Sequence, residues 1–335
     1  MPTMKAVRMH RTGEPGVLAV EEVPRPEPGP GDVLVQVHAA GMNPPDWYVR
    51  RGFSNLPEKM RPTFPLPYTP GSDISGVVVA VGRGVGEWQE GDEVFGLVRF
   101  PAEEHGGRGY AEYTTSPASH LARKPASLSH VEAAAVPMAG LTAYQFVFDH
   151  IKLDEGRRVL VNGAAGGVGH FAVQLAKARG AYVIGVASGR HETFLRELGV
   201  DEFVDYTTTR AEDEVRDVDV LIDAVGGEDA HRYLRVLRPG GVISPVFYGE
   251  YHRERAAELG ITFRSGQVHS DGKQMAELGR LLEEGRLRVG LDSVFPLAEA
   301  AGAHERAERG HIQGKIVLRV VPDQVDRAAK ADQTG

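Results

Sequence analysis

The chain contains no cysteine among its 335 residues, and this absence removes several kinds of chemistry at once. Without cysteine there is no disulfide, no thiolate nucleophile and no cysteine-ligated zinc site. Thirteen histidines remain, but their spacing does not indicate metal ligands. The run His191-Glu192-Thr193-Phe194-Leu195 begins like a zinc-binding helix and lacks the second histidine. The sequence therefore predicts no bound metal.

Long apolar runs and blocks of basic residues are also missing. No uncharged stretch approaches the roughly 20 residues of a membrane-spanning helix, and the opening MPTMKAVRMHRTGEPG lacks the apolar core of a signal peptide. The formal net charge is −8, which argues against nucleic acid or an anionic membrane as the main partner. We expect a soluble, cytoplasmic protein that binds a small molecule.

The most informative feature that is present is a strand, a glycine-rich turn and a helix in direct succession. The apolar run Val159–Val161 leads into the turn Ala164-Ala165-Gly166-Gly167-Val168-Gly169, which matches the dinucleotide-binding pattern G-x-G-x-x-G except for alanine at its first position. Glycines let the backbone approach a phosphate, and the N–H groups and dipole of the helix N-terminus attract its charge. We expect Gly166, Gly167 and Val168 to contact a pyrophosphate.

Strand and helix patterns alternate beyond this turn, which is typical of a parallel sheet with helices on both faces. The strands predicted there are 181–188, 202–206, 219–225, 242–247 and 261–266, and the helices predicted between and after them are 191–198, 230–237, 272–285 and 295–309.

The first third of the chain has short strands with frequent turns, which indicates a β-rich domain. The strands predicted for this domain are 4–9, 32–40, 75–81, 93–97, 110–114 and a returning strand at 315–321. Since 335 residues exceed what one core usually supports, two domains are expected. Residues 127–266 form the predicted nucleotide domain, and residues 1–126 with 267–335 form the β-rich domain.

The residues after the second strand of the nucleotide domain bear on the choice of cofactor. NAD sites usually have Asp or Glu there, about 20 residues past the glycine turn. Here the chain reads Ser188-Gly189-Arg190-His191. Ser188 can hydrogen-bond a 2′-phosphate and Arg190 can bind it bidentately, so the sequence favours NADPH. Ser188 as a helix cap and Arg190 as a solvated residue is a compatible alternative.

Several further motifs are distributed over nearly the whole chain, from Met4 to Val321. They are Gly41–Asp46, Pro70–Asp73 with Ser75-Gly76, Gly91–Val94, Gly109–Tyr113, Gly140–Tyr144, Ala164–Gly169 and Gly314–Leu318. With these motifs the chain resembles the medium-chain dehydrogenases/reductases, and among them the zinc-independent quinone oxidoreductase (zeta-crystallin-like) family. The resemblance implies an α/β fold: a Rossmann doubly wound parallel sheet domain with a GroES-like β-rich catalytic domain.

Two departures from the zinc alcohol dehydrogenases indicate the zinc-free branch. Asn43 stands where those enzymes have a cysteine ligand, and Ser72 replaces their histidine ligand. A metal supplies several kcal/mol of charge stabilisation to a carbonyl, so a protein without one needs substrates that are already activated. The expected reaction is hydride transfer from NADPH to a quinone or another conjugated carbonyl. A 2-alkenal or enone reductase on the same scaffold, and a non-catalytic NADPH-binding sensor, are the alternatives.

The resemblance also implies positions for individual residues. Asn43 and Tyr48 would line the nicotinamide cleft, where Tyr48 could donate a hydrogen bond or a proton; a turn residue and a packing aromatic are the respective alternatives. Asp46 is expected to orient local structure. The remaining cofactor contacts would come from Thr142 at the head of a helix 141–148, from Tyr206 near the adenosine, from Val225 and Gly226 near the nicotinamide ribose, and from Phe247, with Tyr248 and Phe263, in the pocket wall. A homodimer through Ile261–Gln267 is expected as well.

Overall fold

The computed structural model describes residues 2–54, 58–100 and 107–321, which form two large β-sheets and a small sheet of the first two strands. The strands are β1 Thr3–Arg8, β2 Ala19–Pro24, β3 Asp32–Gly41, β4 Asp73–Val81, β5 Glu93–Leu97, β6 Tyr113–Pro117, β7 Leu121–Arg123, β8 Arg158–Asn162, β9 Tyr182–Ala187, β10 Glu202–Asp205, β11 Val218–Asp223, β12 Leu237–Pro245, β13 Thr262–Phe263, β14 Leu291–Pro296 and β15 Lys315–Arg319.

Helices connect and cover these strands. The α-helices are α1 Pro44–Arg50, α2 His130–Ala134, α3 Pro137–Tyr144, α4 Gly167–Ala178, α5 Glu192–Glu197, α6 Ala211–Glu214, α7 Arg253–Glu258, α8 Gly272–Glu283 and α9 Ala300–Glu308. A π-helical turn, Gln145–His150, continues α3. Short 3₁₀ segments include Gly189–His191 and Glu228–Arg235.

The nucleotide-type sheet is parallel, with the strand order β10-β9-β8-β11-β12-β13. Its central strands are apolar along their length because both faces are covered: Val159, Leu160 and Val161 of β8 are fully buried. From β8 the chain adds strands first on one side, β9 and β10, and then on the other side, β11 to β13. The glycine turn directly follows β8. In doubly wound sheets ligands bind beyond the carboxyl ends of the strands at such a point. The predicted Rossmann sheet is confirmed.

The second sheet is β-rich and mostly antiparallel, with the order β14-β15-β3-β4-β5-β7 and with β6 paired to β3. The GroES-like fold expected for this part is confirmed. The last strand β15 pairs with β3 through Val317 and Gly41, so the chain returns to its first sheet as predicted. That return brings residues 314–316 beside the motif Gly41–Asp46, where the Met42 N–H donates to the Ile316 carbonyl oxygen.

Several predicted boundaries differ from the structure. The strand expected at 110–114 lies at Tyr113–Pro117, because the Tyr110 backbone instead bonds Pro70 and Val7. The helix expected at 295–309 shortens to α9 because its first residues belong to β14. The helix expected at 230–237 is the 3₁₀ segment Glu228–Arg235.

The strand expected at 261–266 and the helix expected at 141–148 also differ. The former reduces to the two residues of β13. The latter begins earlier, at Pro137, where proline suits the first helical turn. Thr142 therefore lies inside α3 and not at its head.

One hydrophobic cluster joins the two sheets. It contains Phe95 and Leu97 of β5, Phe171 of α4, and Met275 and Leu278 of α8. Burial of such side chains stabilises the folded state by roughly 1.5–3 kcal/mol each, so the cleft between the sheets has a packed floor. Within the described residues, no helix is long and apolar enough to cross a membrane, and no group of three or more His, Asp or Glu residues could hold a metal ion.

Candidate active site

Two adjoining cavities open at the carboxyl ends of the parallel strands. One has a volume of about 430 Å³ and the other about 580 Å³. Both are lined by Gly163 and Gly166 of the glycine turn, by Ala224 and Val225 after β11, and by Ile312. The glycine turn therefore lies at the boundary of the two cavities, as the pyrophosphate of a dinucleotide lies between its two nucleosides.

The turn itself places glycine where a side chain has no room and where a ligand needs room. A Cβ atom on Gly169 would lie 2.1 Å from the carbonyl oxygen of Gly163, so the start of α4 packs directly on the end of β8. A Cβ atom on Gly166 would meet only that oxygen, at 3.4 Å. Gly166 is the N-cap of the twelve-residue α4, and it lines both cavities together with the positive end of the helix dipole.

A buried carboxylate holds the opposite wall of the cavities. Asp223 ends β11, and its Oδ1 accepts hydrogen bonds from the backbone N–H groups of Val225 and Gly226, both at 3.0 Å. The Asn162 side chain donates to the same oxygen at 2.8 Å, and the Tyr251 hydroxyl donates to Oδ2 at 2.8 Å. This network fixes the turn after β11, where Gly226 has a φ of +66°. Val225 thus lines both cavities and Gly226 lines the smaller one, while their contact with a nicotinamide ribose stays a prediction.

The smaller cavity contains the residues expected at the adenosine end, with one exception. Ser188 lines it directly after β9, and Tyr206 lines it after β10. The Tyr206 hydroxyl is 3.0 Å from Nδ1 of His311. Arg190 is not among the lining residues, because its guanidinium donates to the carbonyl oxygen of His311 and to the ring of His191. Arg232 lines the cavity instead.

The larger cavity is lined by Asn43, Tyr48 and Phe247, the residues predicted for the nicotinamide end. Thr142, predicted to contact the cofactor, and Val168, predicted to contact the pyrophosphate, line it as well. The rings of Tyr48 and Phe247 are 5.7 Å apart, so they form one aromatic wall. Burial raises the pKa of Tyr48 to about 12, which keeps its hydroxyl protonated, and therefore a hydrogen-bond donor, at neutral pH. The Thr142 hydroxyl donates to the carbonyl oxygen of Met138 at 2.6 Å.

Two aromatic residues that were expected in the wall lie elsewhere. Phe263 packs edge-on against Tyr251 at 5.6 Å because β13 is on the outer edge of the sheet. Tyr248 is 77% exposed and lines a separate surface cavity with Tyr251 and Arg253.

Asp46 organises the loop that carries Asn43 and Tyr48. Its carboxylate accepts hydrogen bonds from the backbone N–H of Asn43 at 2.8 Å and of Gly71 at 3.1 Å, and from the Tyr110 hydroxyl at 3.1 Å. Complete burial raises the pKa of Asp46 to about 6 against these donors. Its contacts are all with protein groups of this loop and its neighbours, as expected for a residue that orients local structure.

Lys315 is the main residue of this site that sequence reasoning missed. Its side chain is 4% exposed and lines the larger cavity. Nζ donates to the carbonyl oxygen of Met42 at 2.6 Å and to Oδ1 of Asn43. Lys315 stands in the motif Gly314–Leu318. This motif helps to identify the family, but it does not indicate that β15 lies against Asn43. Asp223, Arg232 and His311 were also missed, because no local sequence pattern indicates that they lie at these cavities.

Known proteins agree with this architecture. Residues 29–126 match the family described as alcohol dehydrogenase GroES-like domain, and residues 198–318 match the family described as zinc-binding dehydrogenase. The mitochondrial NAD(P)H oxidoreductase RTN4IP1 of Mus musculus is 31% identical over 87% of this chain and 82% of its own length. The structure of the Coxiella burnetii quinone oxidoreductase is 34% identical, with a TM-score of 0.87 over 96% of this chain and 100% of that one.

The structure of the Escherichia coli quinone oxidoreductase complexed with NADPH is 25% identical, with a TM-score of 0.83 over 94% of this chain and 100% of that one. The fold and the glycine turn thus define an oxidoreductase with a GroES-like domain and an NAD(P)H-type Rossmann domain. Within that class, the chain belongs to the zinc-independent quinone oxidoreductase family of the medium-chain dehydrogenases/reductases.

A nicotinamide dinucleotide fits the residues present. The turn offers a helix N-terminus and, at the boundary of the two cavities, a glycine whose Cβ position meets a single protein atom. The smaller cavity has hydroxyl and imidazole groups suited to a ribose and its phosphate, and the larger has an aromatic wall suited to a planar ring.

Proposed function

We propose that this protein is an NADPH-dependent reductase of quinones or other activated conjugated carbonyls. The observation that carries the proposal is the pair of cavities divided by the glycine turn, with Tyr48 and Asn43 in the larger one. NADPH, when bound, supplies the hydride that a quinone carbon or an enone β-carbon accepts.

The chain's own residues would position the acceptor and stabilise its developing negative charge. The aromatic wall of Tyr48 and Phe247 suits a planar conjugated ring and keeps water from one side of it. The Tyr48 hydroxyl is protonated at neutral pH and can donate to a substrate oxygen. Retention of both Tyr48 and the Asn43 loop in the cleft favours an enzyme over a sensor that only binds NADPH.

The function is tested by following NADPH oxidation against 1,4-quinones and 2-alkenals, with NADH in parallel. We expect quinone reduction with a preference for NADPH. Turnover with alkenals alone would assign the protein to the enone reductases. Tight NADPH binding without reduction of any acceptor would contradict the enzymatic proposal and favour a sensor.

The preference for NADPH rests on the missing carboxylate at position 188 and is tested there. Ser188→Asp places a negative charge where the 2′-phosphate is proposed to bind. We expect its KM for NADPH to rise about tenfold or more, since like charges in contact cost several kcal/mol, while the KM for NADH stays within about twofold. Ser188→Ala is the matched control, because it removes one hydrogen bond and adds no charge; its expected effect is about fivefold.

An unchanged ratio of the two KM values in Ser188→Asp would place the 2′-phosphate elsewhere. Because the Arg190 guanidinium is engaged with His311, we propose that Ser188 discriminates and that Arg190 contributes only if it leaves that carbonyl on binding.

A role for Tyr48 as hydrogen-bond donor is tested by Tyr48→Phe, which keeps the ring and removes the hydroxyl. We expect kcat for quinone reduction to fall about 10- to 100-fold, with the dissociation constant of NADPH within about twofold. Phe247→Leu is the comparison that disturbs the wall and leaves the donor. Equal kcat for Tyr48→Phe and the unmodified protein would reduce Tyr48 to a packing residue.

We also propose a homodimer through 261–267 and a cytoplasmic location. β13 is the outermost strand of its sheet, and an unpaired edge can be completed by a second copy of the chain. The dimer is checked by sedimentation equilibrium.

A further inference from the structure

The strongest feature that the proposed function leaves unexplained is a buried cation in the wall of the larger cavity. The Lys315 ammonium has three protons and three oxygen neighbours: the Met42 carbonyl at 2.6 Å, Oδ1 of Asn43, and Oδ2 of Asp73 at 3.8 Å. Burial lowers the pKa of Lys315, and the charge of Asp73 opposes that shift. With its protons directed at protein oxygens, Lys315 is poorly placed to give one to a substrate.

Asp73 holds the other end of the same amide group. Its Oδ2 accepts a hydrogen bond from Nδ2 of Asn43 at 2.8 Å, and its Oδ1 accepts one from the backbone N–H of Met138 at 2.9 Å. Asn43 is thus held at its oxygen by the Lys315 ammonium of β15 and at its nitrogen by the Asp73 carboxyl group of β4. The chain of three side chains ties together three segments that line the cavity, at Asn43, Met138 and Lys315.

This arrangement has an electrostatic consequence. An amide whose oxygen accepts from a cation is polarised, and its N–H groups become stronger donors, because hydrogen bonds in a chain reinforce one another at low dielectric constant. Nδ2 of Asn43 carries two protons, and Asp73 accepts one. The second belongs to a residue that lines the cavity beside Tyr48.

We propose that Lys315 is a positioning residue: with Asp73 it fixes the orientation of the Asn43 amide and directs a polarised N–H into the cavity, toward an oxygen of the bound nicotinamide or acceptor. This inference rests on the proposed function. A purely structural role predicts a loss of stability when Lys315 alone is replaced, because removing one partner of a buried ion pair leaves the other uncompensated, and it predicts an unchanged kcat in a variant that folds.

The chain offers a direct measurement of the orientation, since it has three asparagines, at positions 43, 55 and 162. Selective ¹⁵N labelling of asparagine therefore gives three pairs of side-chain amide resonances, and the pair of Asn43 is assigned by its loss in Asn43→Ser. In Lys315→Met we expect the Asn43 pair to shift or broaden while the Asn162 pair, held by Asp223, stays in place. The Asn162 pair thus also reports whether the variant is folded.

Kinetics then test whether the orientation matters. For Lys315→Met we expect kcat for quinone reduction to fall about tenfold, with the dissociation constant of NADPH within about threefold, and for Lys315→Arg, which keeps the charge, we expect part of the loss to be restored. Lys273→Met is the control, because Lys273 is an exposed residue of α8. An unshifted Asn43 pair in folded Lys315→Met, or full kcat in that variant, would overturn the proposal.

If Lys315→Met does not fold, the inference is tested on the Asn43 resonances of the unmodified protein. NADP⁺ and duroquinone do not react with each other, so both can be added without turnover. We expect the Asn43 resonances to shift when they bind. Unchanged Asn43 resonances at saturating NADP⁺ would overturn the inference. A protein that binds NADP⁺ with the expected Asn43 shift but reduces no acceptor would contradict the proposed function and leave the positioning of Asn43 supported.

Discussion

Gly166→Ala is expected to weaken NADPH binding about a hundredfold and to leave the unfolding temperature of the free protein unchanged. Gly166 has a φ of −77° and a ψ of −177°, which alanine adopts without strain. Its Cβ would contact only the Gly163 oxygen, at 3.4 Å, but it would stand over the N-terminus of α4. Two charge-assisted hydrogen bonds to a phosphate, lost together, are worth about 3 kcal/mol or roughly a hundredfold in affinity.

Gly169→Ala is the matched variant with the opposite outcome. Its Cβ would lie 2.1 Å from the Gly163 oxygen and 2.8 Å from Cα of Ala164, and both of these atoms are backbone. The helix must move away from β8, so we expect a loss of about 2 kcal/mol or more in the unfolding free energy of the free protein. Affinity for NADPH falls as well, as a consequence of the displaced helix.

Comparing Gly166→Ala with Gly169→Ala distinguishes a glycine needed for ligand binding from a glycine needed for helix packing. Titration of nicotinamide fluorescence gives the dissociation constants, and thermal unfolding without cofactor gives the stabilities. Unaltered NADPH affinity in Gly166→Ala would mean that no phosphate approaches this residue, and the site at the cavity boundary would have to be abandoned.

The features that could be predicted from the sequence are those that depend on residues close together along the chain. The strand, turn and helix around Gly166 are contiguous, so their local pattern was enough to identify the loop, and β8, β9 and β11 lie within two residues of their predicted ends. Ser188 and Tyr206 could be placed because each directly follows a strand of the same sheet.

The parts that were missed or wrong depend on tertiary contacts. The Lys315–Asn43 contact joins residues 272 positions apart, and nothing near Lys315 indicates its partner. The position of Arg190 after β9 did not indicate that its guanidinium donates to a carbonyl 121 residues later, and its contact with a phosphate stays a prediction. A helix was predicted to begin at Phe295, but Phe295 and Pro296 end β14, because a short apolar stretch fits a helical pattern as well as an extended one.

The buried neutral histidines His304 and His170 are expected to contribute a loss of stability in acid, and His304 has the larger effect. His304 is fully buried beside Tyr110, and among the described residues its two ring nitrogens have no hydrogen-bond partner. Burial, with the charge of Arg50, lowers the pKa of His304 to about 3, and burial lowers that of His170 to about 4. Both rings must take up a proton on unfolding below pH ~6.5, the ordinary histidine pKa.

The direction of this pH dependence follows from the linkage between proton binding and unfolding. A group whose folded pKa lies below its unfolded value contributes stability that is complete above pH ~6.5 and is lost as the pH falls toward the folded value. For His304 the loss is about 3 kcal/mol at pH 4.5, since each unit is worth about 1.4 kcal/mol. Asp46 and Asp73, whose pKa values burial raises to about 6 and about 7, act in the opposite direction and stabilise the fold as the pH falls.

His304→Phe isolates the histidine contribution, because both carboxylates remain in the variant. We expect the unfolding free energy of His304→Phe, relative to the unmodified protein, to be about 3 kcal/mol more favourable at pH 4.5 than at pH 7.5. Urea denaturation at the two pH values measures the difference. His10→Gln, at a side chain that is 60% exposed, should change it by less than about 0.5 kcal/mol. An equal effect of His304→Phe at both pH values would contradict the lowered pKa of His304 and show that the buried imidazole finds a partner for its proton.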